Sequence, residues 1–288
     1  VFIPSRLTDN PLLLDADPLY VAKLQQSGSE ELVKAWLKGD WNVIEGAYFD
    51  CWSDKMVIKP CTLPEHWTRF RSFDWGSARP FSVGWWAVAS EDFIHPVNGL
   101  IQKNALVRYR EWYGCKEGEP NKGLKLTVEQ VAKGIAERES EKIHYAVADP
   151  AIFSEDGGPS MFERMAKATN NQVLWRRADN KRVAAHGHIG GWDQMRARMV
   201  GEYGRPMVYC FDTCRDSIRT IPSLQHDDNK PEDLDTDGED HAADEWRYGC
   251  MSRPYTKPTP KDDLPIIGVD GMKFEDLWTD SKPGRKRI

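Results

Sequence analysis

Apolar and polar positions along this chain change period several times, and each change marks an element. Up to about residue 50 the pattern is loop and short amphipathic helix: Asp17-Pro18 can open a helix, and Leu32, Val33, Trp36 and Leu37 lie at helical spacing before Gly39. This stretch reads as a connector, with too little apolar content for a core of its own. From Trp67 the period falls to two. Residues 68–74 alternate and stop at Trp75-Gly76, and residues 81–89 and 105–112 are rich in Val, Tyr, Phe and Trp with turn residues between them. Three such runs with short links predict an antiparallel meander. Residues 127–140 return to helical spacing, with a capping-box start at Thr127 to Gln130 and apolar Val128, Val131 and Ile135. Residues 144–149 form a short, almost wholly apolar strand ended by Pro150, of the kind found where a sheet is covered on both faces.

Helix and strand then alternate: a helix over 160–168, a strand over 172–176, a helix over 192–202, a strand over 206–211 and a helix over 214–221. An acidic loop, 222–238, leads to a last helix through residues 239–249, with Gly249 read as its close. The expected fold class is α/β, a mixed sheet of a three-strand antiparallel meander plus parallel strands, with helices on both faces. There is no internal repeat.

The bulk numbers narrow the class without changing this picture. The 288 residues can bury a full core, and we expect one domain with an N-terminal extension. No apolar run approaches the ~18 to 20 residues of a membrane span, so no membrane partner is expected. The first residue is not Met, and the start reads as cut from something longer. Six cysteines without CxxC pairs or regular spacing argue against a zinc site and a disulfide framework, and for reduced thiols in a cytoplasmic protein. The net charge of −6 at first opposes nucleic acid as a partner, but its distribution reverses this. Between Asp227 and Glu245 there are ten acidic residues and one lysine, and the remainder of the chain is slightly basic, with clusters at Arg176-Arg177, Lys181-Arg182 and the C-terminal tail.

The last helix carries the candidate chemistry. His241, Asp244, Glu245 and Tyr248 fall at i, i+3, i+4 and i+7 and share a polar, acidic face beside Ala242, Ala243 and Trp246. Two further acids end strands, Asp74 after Phe73 and Asp149 after Ala148. If those strands are neighbours, about 4.8 Å apart, the carboxylates stand side by side. Like charges so close raise each other's pKa unless a cation intervenes, and hard oxygen ligands suit Mg²⁺ or Mn²⁺. Asp244 would complete a site for one or two ions of the kind that hydrolyse phosphodiesters. Each acid also has an ordinary reading: Asp74 and Asp149 as turn residues, Asp244 as an exposed helical partner of Arg247.

Three blocks settle the choice by resemblance. Residues 71–76 (RSFDWG), 148–153 (ADPAIF) and 240–248 (DHAADEWRY) resemble, in that order, the acidic motifs of the nuclease domain in tailed-bacteriophage large terminase subunits. Asn10-Pro11 and residues 35–41 are similar to the family's segment just after its motor domain. The resemblance implies an RNase H-like fold, with Asp74, Asp149 and Asp244 as catalytic metal ligands. His241 matches a position at the metal site in some relatives, its alternative being a polar helix cap, and Asp240 is a further candidate ligand. It implies a metal-dependent endonuclease that cuts concatemeric double-stranded viral DNA during genome packaging in the host cytoplasm, with two Mg²⁺ or Mn²⁺ ions. The implied partners are portal protein, the small terminase subunit and the ATPase domain of the same polypeptide. The expected organisation is a connector over 1–60, a nuclease domain over 61–255 and a tail over 256–288. No Walker A loop occurs in this sequence, so no ATPase activity is expected of it.

Other readings compete. Asp233, Asp235, Asp237 and Gly238 fit half of an EF-hand loop, but Asp240 stands at a usually apolar position and Pro231 spoils an entering helix. A non-catalytic docking module that joins a packaging motor to portal or DNA, through exposed members of the twelve tryptophans and the basic tail, is a second alternative, although most tryptophans belong in cores. Another RNase H-like nuclease, such as a resolvase, is a third. For DNA contact the candidates are Arg176, Arg177, Lys181 and Arg182, expected to precede a flexible His- and Gly-rich loop through His186, His188, Gly190 and Gly191. A metal pair of His186 and His188 lacks a third ligand nearby. Nothing resembles a base-reading helix, so little sequence specificity is expected.

Overall fold

The computed structural model describes residues 46–185 and 189–255. The connector helices, His186 to His188 and the tail lie outside the described residues. In chain order the strands are β1 (Val57–Ile58), β2 (Thr68–Asp74), β3 (Ser82–Val88), β4 (Phe93–His95), β5 (Gly99–Ile101), β6 (Leu106–Tyr113), β7 (Tyr145–Ala148), β8 (Arg176–Arg177) and β9 (Val208–Phe211). The helices are α1 (Val128–Glu137), α2 (Met161–Ala168), α3 (Gly191–Val200), α4 (Arg215–Thr220) and α5 (His241–Met251).

Seven strands form one sheet in the order β1-β9-β6-β3-β2-β7-β8. The meander is the expected one: β2 pairs antiparallel with β3, and β3 with β6. The added strands run parallel to their neighbours, β7 to β2, β8 to β7, β9 to β6 and β1 to β9. Alternation along β2 sends Phe70, Ser72 and Asp74 to one face and Arg71 and Phe73 to the other. On the first face α3 and α5 cover Phe70 and Trp86 with Trp192, Met195, Ala242, Ala243, Trp246 and Cys250. On the second, α1 and α2 cover Phe73, Val83 and Trp85 with Val128, Val131, Ile135 and Met165. Strand β7 is sandwiched as its apolar run predicts, with Ala146 and Ala148 in the second cluster and Val147 against Tyr248. The Thr127 capping box of α1 forms as read, both of its hydrogen bonds being present. All six cysteines are free. No helix among the described residues is long and apolar enough to cross a membrane.

Several expectations need correction. The strand read over 172–176 shrinks to the two exposed arginines of β8, because Asn170 and Asn171 both turn the backbone to positive φ and the chain runs through turns and bends over 169–173. A two-stranded hairpin, β4–β5, interrupts the meander between β3 and β6. The core starts before residue 60: Tyr48, Phe49, Met56 and Ile58 are buried, and β1 pairs with β9. Gly249 does not close α5 but lies inside it, where an added Cβ would stand 3.2 Å from Ser72 Oγ and from Trp86, so the glycine lets the helix lie close on the sheet. None of the nine described tryptophans is exposed, so the described residues offer the docking reading no tryptophan surface; the other three tryptophans and the basic tail lie outside them.

Candidate active site

Register places the two strand-end acids. Phe73 pairs with Ala148 across the parallel β2–β7 ladder, and the Asp149 N–H donates to Phe73 O at 3.0 Å. The next residue of each strand is an aspartate, so the carboxylates of Asp74 and Asp149 leave the same end of the sheet side by side. Asp149 also opens a 3₁₀ turn, Pro150–Phe153, with its Oδ1 accepting from the Ala151 N–H at 2.9 Å.

Helix α5 brings the remaining groups over this end. Asp240 stands just ahead of the helix but makes no side-chain capping bond, so its carboxylate is free to face the cluster. His241 does not cap either: its Nδ1 lies 3.2 Å from Asp74 Oδ2 and 3.9 Å from Asp240 Oδ1. The Asp244–Arg247 pair anticipated at i,i+3 exists, with Nε at 3.0 Å and Nη2 at 2.8 Å, both bonding to Oδ1. It is not an exposed pair, since the Asp244 side chain is 15% exposed and that of Arg247 2%. Both bonds take one oxygen and leave Oδ2 for another ligand.

The electrostatics record this crowding. Burial, then the charges of Asp244 and Asp149, push the Asp74 carboxyl well above the usual carboxylate range, with Arg247 opposing. Asp240 is pushed up to about 7 by burial and by Asp244 and Asp74, against the pull of His241 and Arg182. Burial, aided by the Arg79 guanidinium, lowers His241 even though Asp240 and Asp244 favour its charged form. The His241 Nε2 is buried and has no hydrogen-bond partner. With the ring proton on Nδ1 toward Asp74, Nε2 offers a lone pair, as a metal-binding imidazole does. Tyr248, one turn beyond Asp244, is raised by burial and by Asp74, Asp244 and Asp149.

These donors, several aspartate oxygens and one imidazole nitrogen, are the chemistry a hard divalent cation takes. Among the described residues no three His, Cys, Asp or Glu side chains already meet at a common point close enough to hold an ion. Asp149 is engaged as a cap through Oδ1 and Asp244 with Arg247 through Oδ1, which leaves one carboxylate oxygen of each for an ion.

The basic candidates divide. Arg176, Arg177 and Lys181 are exposed. Arg177, opposite Ala148 in the ladder, reaches around the 3₁₀ turn to Pro150 O and Phe153 O at 3.3 and 3.4 Å, which places it beside the acid cluster. Arg182 is turned inward, 3.1 Å from Asp233 Oδ1 and 3.9 Å from Asp240 Oδ2, with its guanidinium over Trp192, so it is committed inside the molecule. The glycines that follow are not slack: a Cβ on Gly190 would stand 2.5 Å from Ala184 N, and one on Gly191 2.4 Å from Arg247 Cγ. The EF-hand reading fails here. Among the described residues no α-helix runs between Leu224 and Asp240, and Asp233 Oδ1 is already taken by the Trp192 Nε1–H and Leu234 N–H, both at 2.8 Å.

Sequence reasoning missed the burial of Arg247 and the approach of Arg79. No local pattern marks either, because both depend on which loop packs against α5. Glu245, placed on the acidic face, instead points into the sheet and is 0% exposed. The signal for that was present, since Glu245 stands next to Trp246 and one turn from Ala242 on the buried side.

No family model matches the sequence, nor does any curated protein. Solved structures do. The nuclease domain of the phage P22 large terminase aligns with a TM-score of 0.50 at 17% identity, covering 72% of this chain and 92% of that one. The large terminase of a thermophilic bacteriophage aligns with a TM-score of 0.51 at 18% identity, covering 86% of this chain. This chain spans about half of that second protein, 53% of its length. The chain therefore has the fold of a large-terminase nuclease domain, an RNase H-like mixed sheet with helices on both faces.

Proposed function

We propose that this domain is a metal-dependent endonuclease that cuts concatemeric double-stranded viral DNA during genome packaging in the host cytoplasm. The observation that carries the reading is the convergence of Asp74, Asp149, Asp240, His241 and Asp244 at one end of the sheet, with the Asp74 carboxyl held far from its ordinary pKa. Asp74, Asp149 and Asp244 would hold one or two Mg²⁺ or Mn²⁺ ions, with His241 Nε2 and Asp240 as further ligands. A bound ion would supply an activated water and neutralise charge at the phosphodiester. The chain's own part is to hold these donors in a partly dry cleft. Arg247 orients Asp244 through two hydrogen bonds to its Oδ1, and Asp74 orients the His241 ring. Arg177 and Lys181 would take the phosphate backbone at the rim, with little reading of sequence. Portal protein, the small terminase subunit and an ATPase motor in the same polypeptide are the partners this role calls for. This chain, which has no Walker A loop, would not itself hydrolyse ATP.

Plasmid cleavage in Mn²⁺ or Mg²⁺ tests the reading. Asp74→Ala, Asp149→Ala and Asp244→Ala should each lower cutting by about 1,000-fold, equivalent to ~4 kcal/mol of barrier, while circular dichroism stays that of the parent. Undiminished cutting in all three would remove the site, and ATP turnover by the purified chain would overturn the ATPase statement.

A further inference from the structure

Helix α5 lies over β2 and β3, and its underside carries one wholly buried carboxylate. Glu245 is 0% exposed. From β6, Arg108 reaches its Oε2 through Nε at 3.1 Å and Nη2 at 2.5 Å. From β3, the Trp86 Nε1–H donates to Oε1 at 3.0 Å and the Ser82 hydroxyl to Oε2 at 3.4 Å, and from β2 the Ser72 hydroxyl donates to Oε1. Arg108, also 0% exposed, gives its Nη1 to Glu111 Oε2 at 2.6 Å. Glu111 in turn accepts from the Asp216 and Ser217 N–H groups at the start of α4, at 2.8 and 2.9 Å. Strand β3 makes room with a glycine: a Cβ on Gly84 would stand 2.1 Å from Glu245 Oε1 and 2.7 Å from Arg108 Nε.

Apolar contacts already hold α5 to the sheet, through Ala242, Ala243, Trp246 and Cys250. Such contacts are non-directional and let a helix turn or slide by a fraction of a residue at little cost. A buried ion pair adds little net stability, because desolvation offsets most of its attraction, but it is directional. Its position here gives the direction a use. Ser72 and Asp74 lie two residues apart on one face of β2, and His241 and Glu245 lie one turn apart on α5. The same strand and helix therefore meet twice, at Ser72 with Glu245 and at Asp74 with His241. Asp244 is the residue before Glu245, so pinning one fixes the other.

We infer that the Arg108–Glu245 pair is a positioning device, setting the register of α5 on the sheet and with it the place of Asp244 and His241 over Asp74 and Asp149. Its link to activity rests on the metal-nuclease reading above; its structural content does not. The test replaces both charges by apolar groups of similar size, Arg108→Met with Glu245→Met, in the full chain. The double variant should stay folded and melt above Arg108→Ala, which strips both Glu245 and Glu111 of their cation, and its crystal structure should show α5 displaced on an otherwise unchanged sheet. Calorimetry should show Mn²⁺ binding weakened about 10- to 100-fold, and kcat should fall further than KM for DNA changes. An α5 seated as in the parent, with parental Mn²⁺ affinity, would overturn the inference. Should the double variant not fold, Gly84→Ala pushes on the pair without removing either charge and is read in the same way. A parent that neither binds Mn²⁺ nor cuts DNA would end the nuclease reading, while the position of α5 in the two crystal structures would still decide the positioning inference.

Discussion

Asp244 and Glu245 are consecutive acids on one helix, and they live in opposite regimes. Glu245 points into the sheet, where Arg108, Trp86, Ser82 and Ser72 together satisfy it. The Arg108 guanidinium loses from burial but gains more from Glu245 and Glu111, so its pKa stands above the ordinary range. Asp244 points to a cluster in which acids face acids and Arg247 is the nearest cation. The lower region is costly to build and then complete, whereas the upper one is left short of positive charge. Residue type alone therefore does not identify a working acid. An acid whose partners are already supplied is structural, and one whose surroundings still call for a cation is the candidate for chemistry.

The two regimes separate most forcefully when the lower one is disturbed. Arg108→Ala leaves Glu245 buried without its charge partner and should cost about 3–5 kcal/mol in urea unfolding. Arg247→Ala should cost less, about 1–2 kcal/mol, because the upper acids can take up protons or water; equal losses would erase the distinction between the two regions.

Removing an upper acid should have the opposite sign. Asp240→Asn should stabilise the metal-free protein by about 1–3 kcal/mol near neutral pH, whereas Glu245→Gln should destabilise it. The pH dependence follows from the raised Asp240 pKa. An acid whose folded pKa exceeds its unfolded value binds protons preferentially in the folded state, so its stabilising contribution is lost as pH rises. For Asp240 the window runs from the ordinary aspartate value of 3.8 up to about 7. The stability gap between parent and Asp240→Asn should be closed below this window and fully open above it, and Mn²⁺ should narrow it. A gap independent of pH would show that Asp240 is not under this pressure.

The smallest effect separates two arginines that look alike in the sequence. Arg177→Ala should reduce the salt dependence of DNA binding by about one unit of slope with stability unchanged. Arg182→Ala should leave that slope alone and lower stability by about 1 kcal/mol, because Asp233 and Asp240 lose a partner. The reverse result would return Arg182 to the DNA surface.

Much of this was legible in the residues, for identifiable reasons. The sandwiched strand β7, the capped helix α1 and the strand-end acids Asp74 and Asp149 carry their signals locally, in apolar runs, a capping box and a stop at Gly or Pro. What was not legible depends on distant packing. Strand β8 is two exposed arginines with no apolar content, and it exists because β7 offers an edge. β1 sits in a stretch that reads as a connector and becomes a strand because β9 offers a parallel partner. Gly249 has the look of a helix stop, and only the closeness of Ser72 and Trp86 explains it as an interior residue. Arg182 shares its local charge with Arg177, and its inward turn is set by acids about fifty residues further along.

The pairing of β1 with β9 also bears on the order of events during synthesis. Val57 lies against Cys210, and the acid cluster draws on residue 74, residue 149 and a helix that starts at residue 241. Contacts so far apart in sequence make closure late and folding slow. The two strand-end aspartates leave the ribosome long before the helix that completes their site. A nascent chain would thus carry its first two acids in an unfinished sheet and complete the acid cluster only after Met251 had emerged.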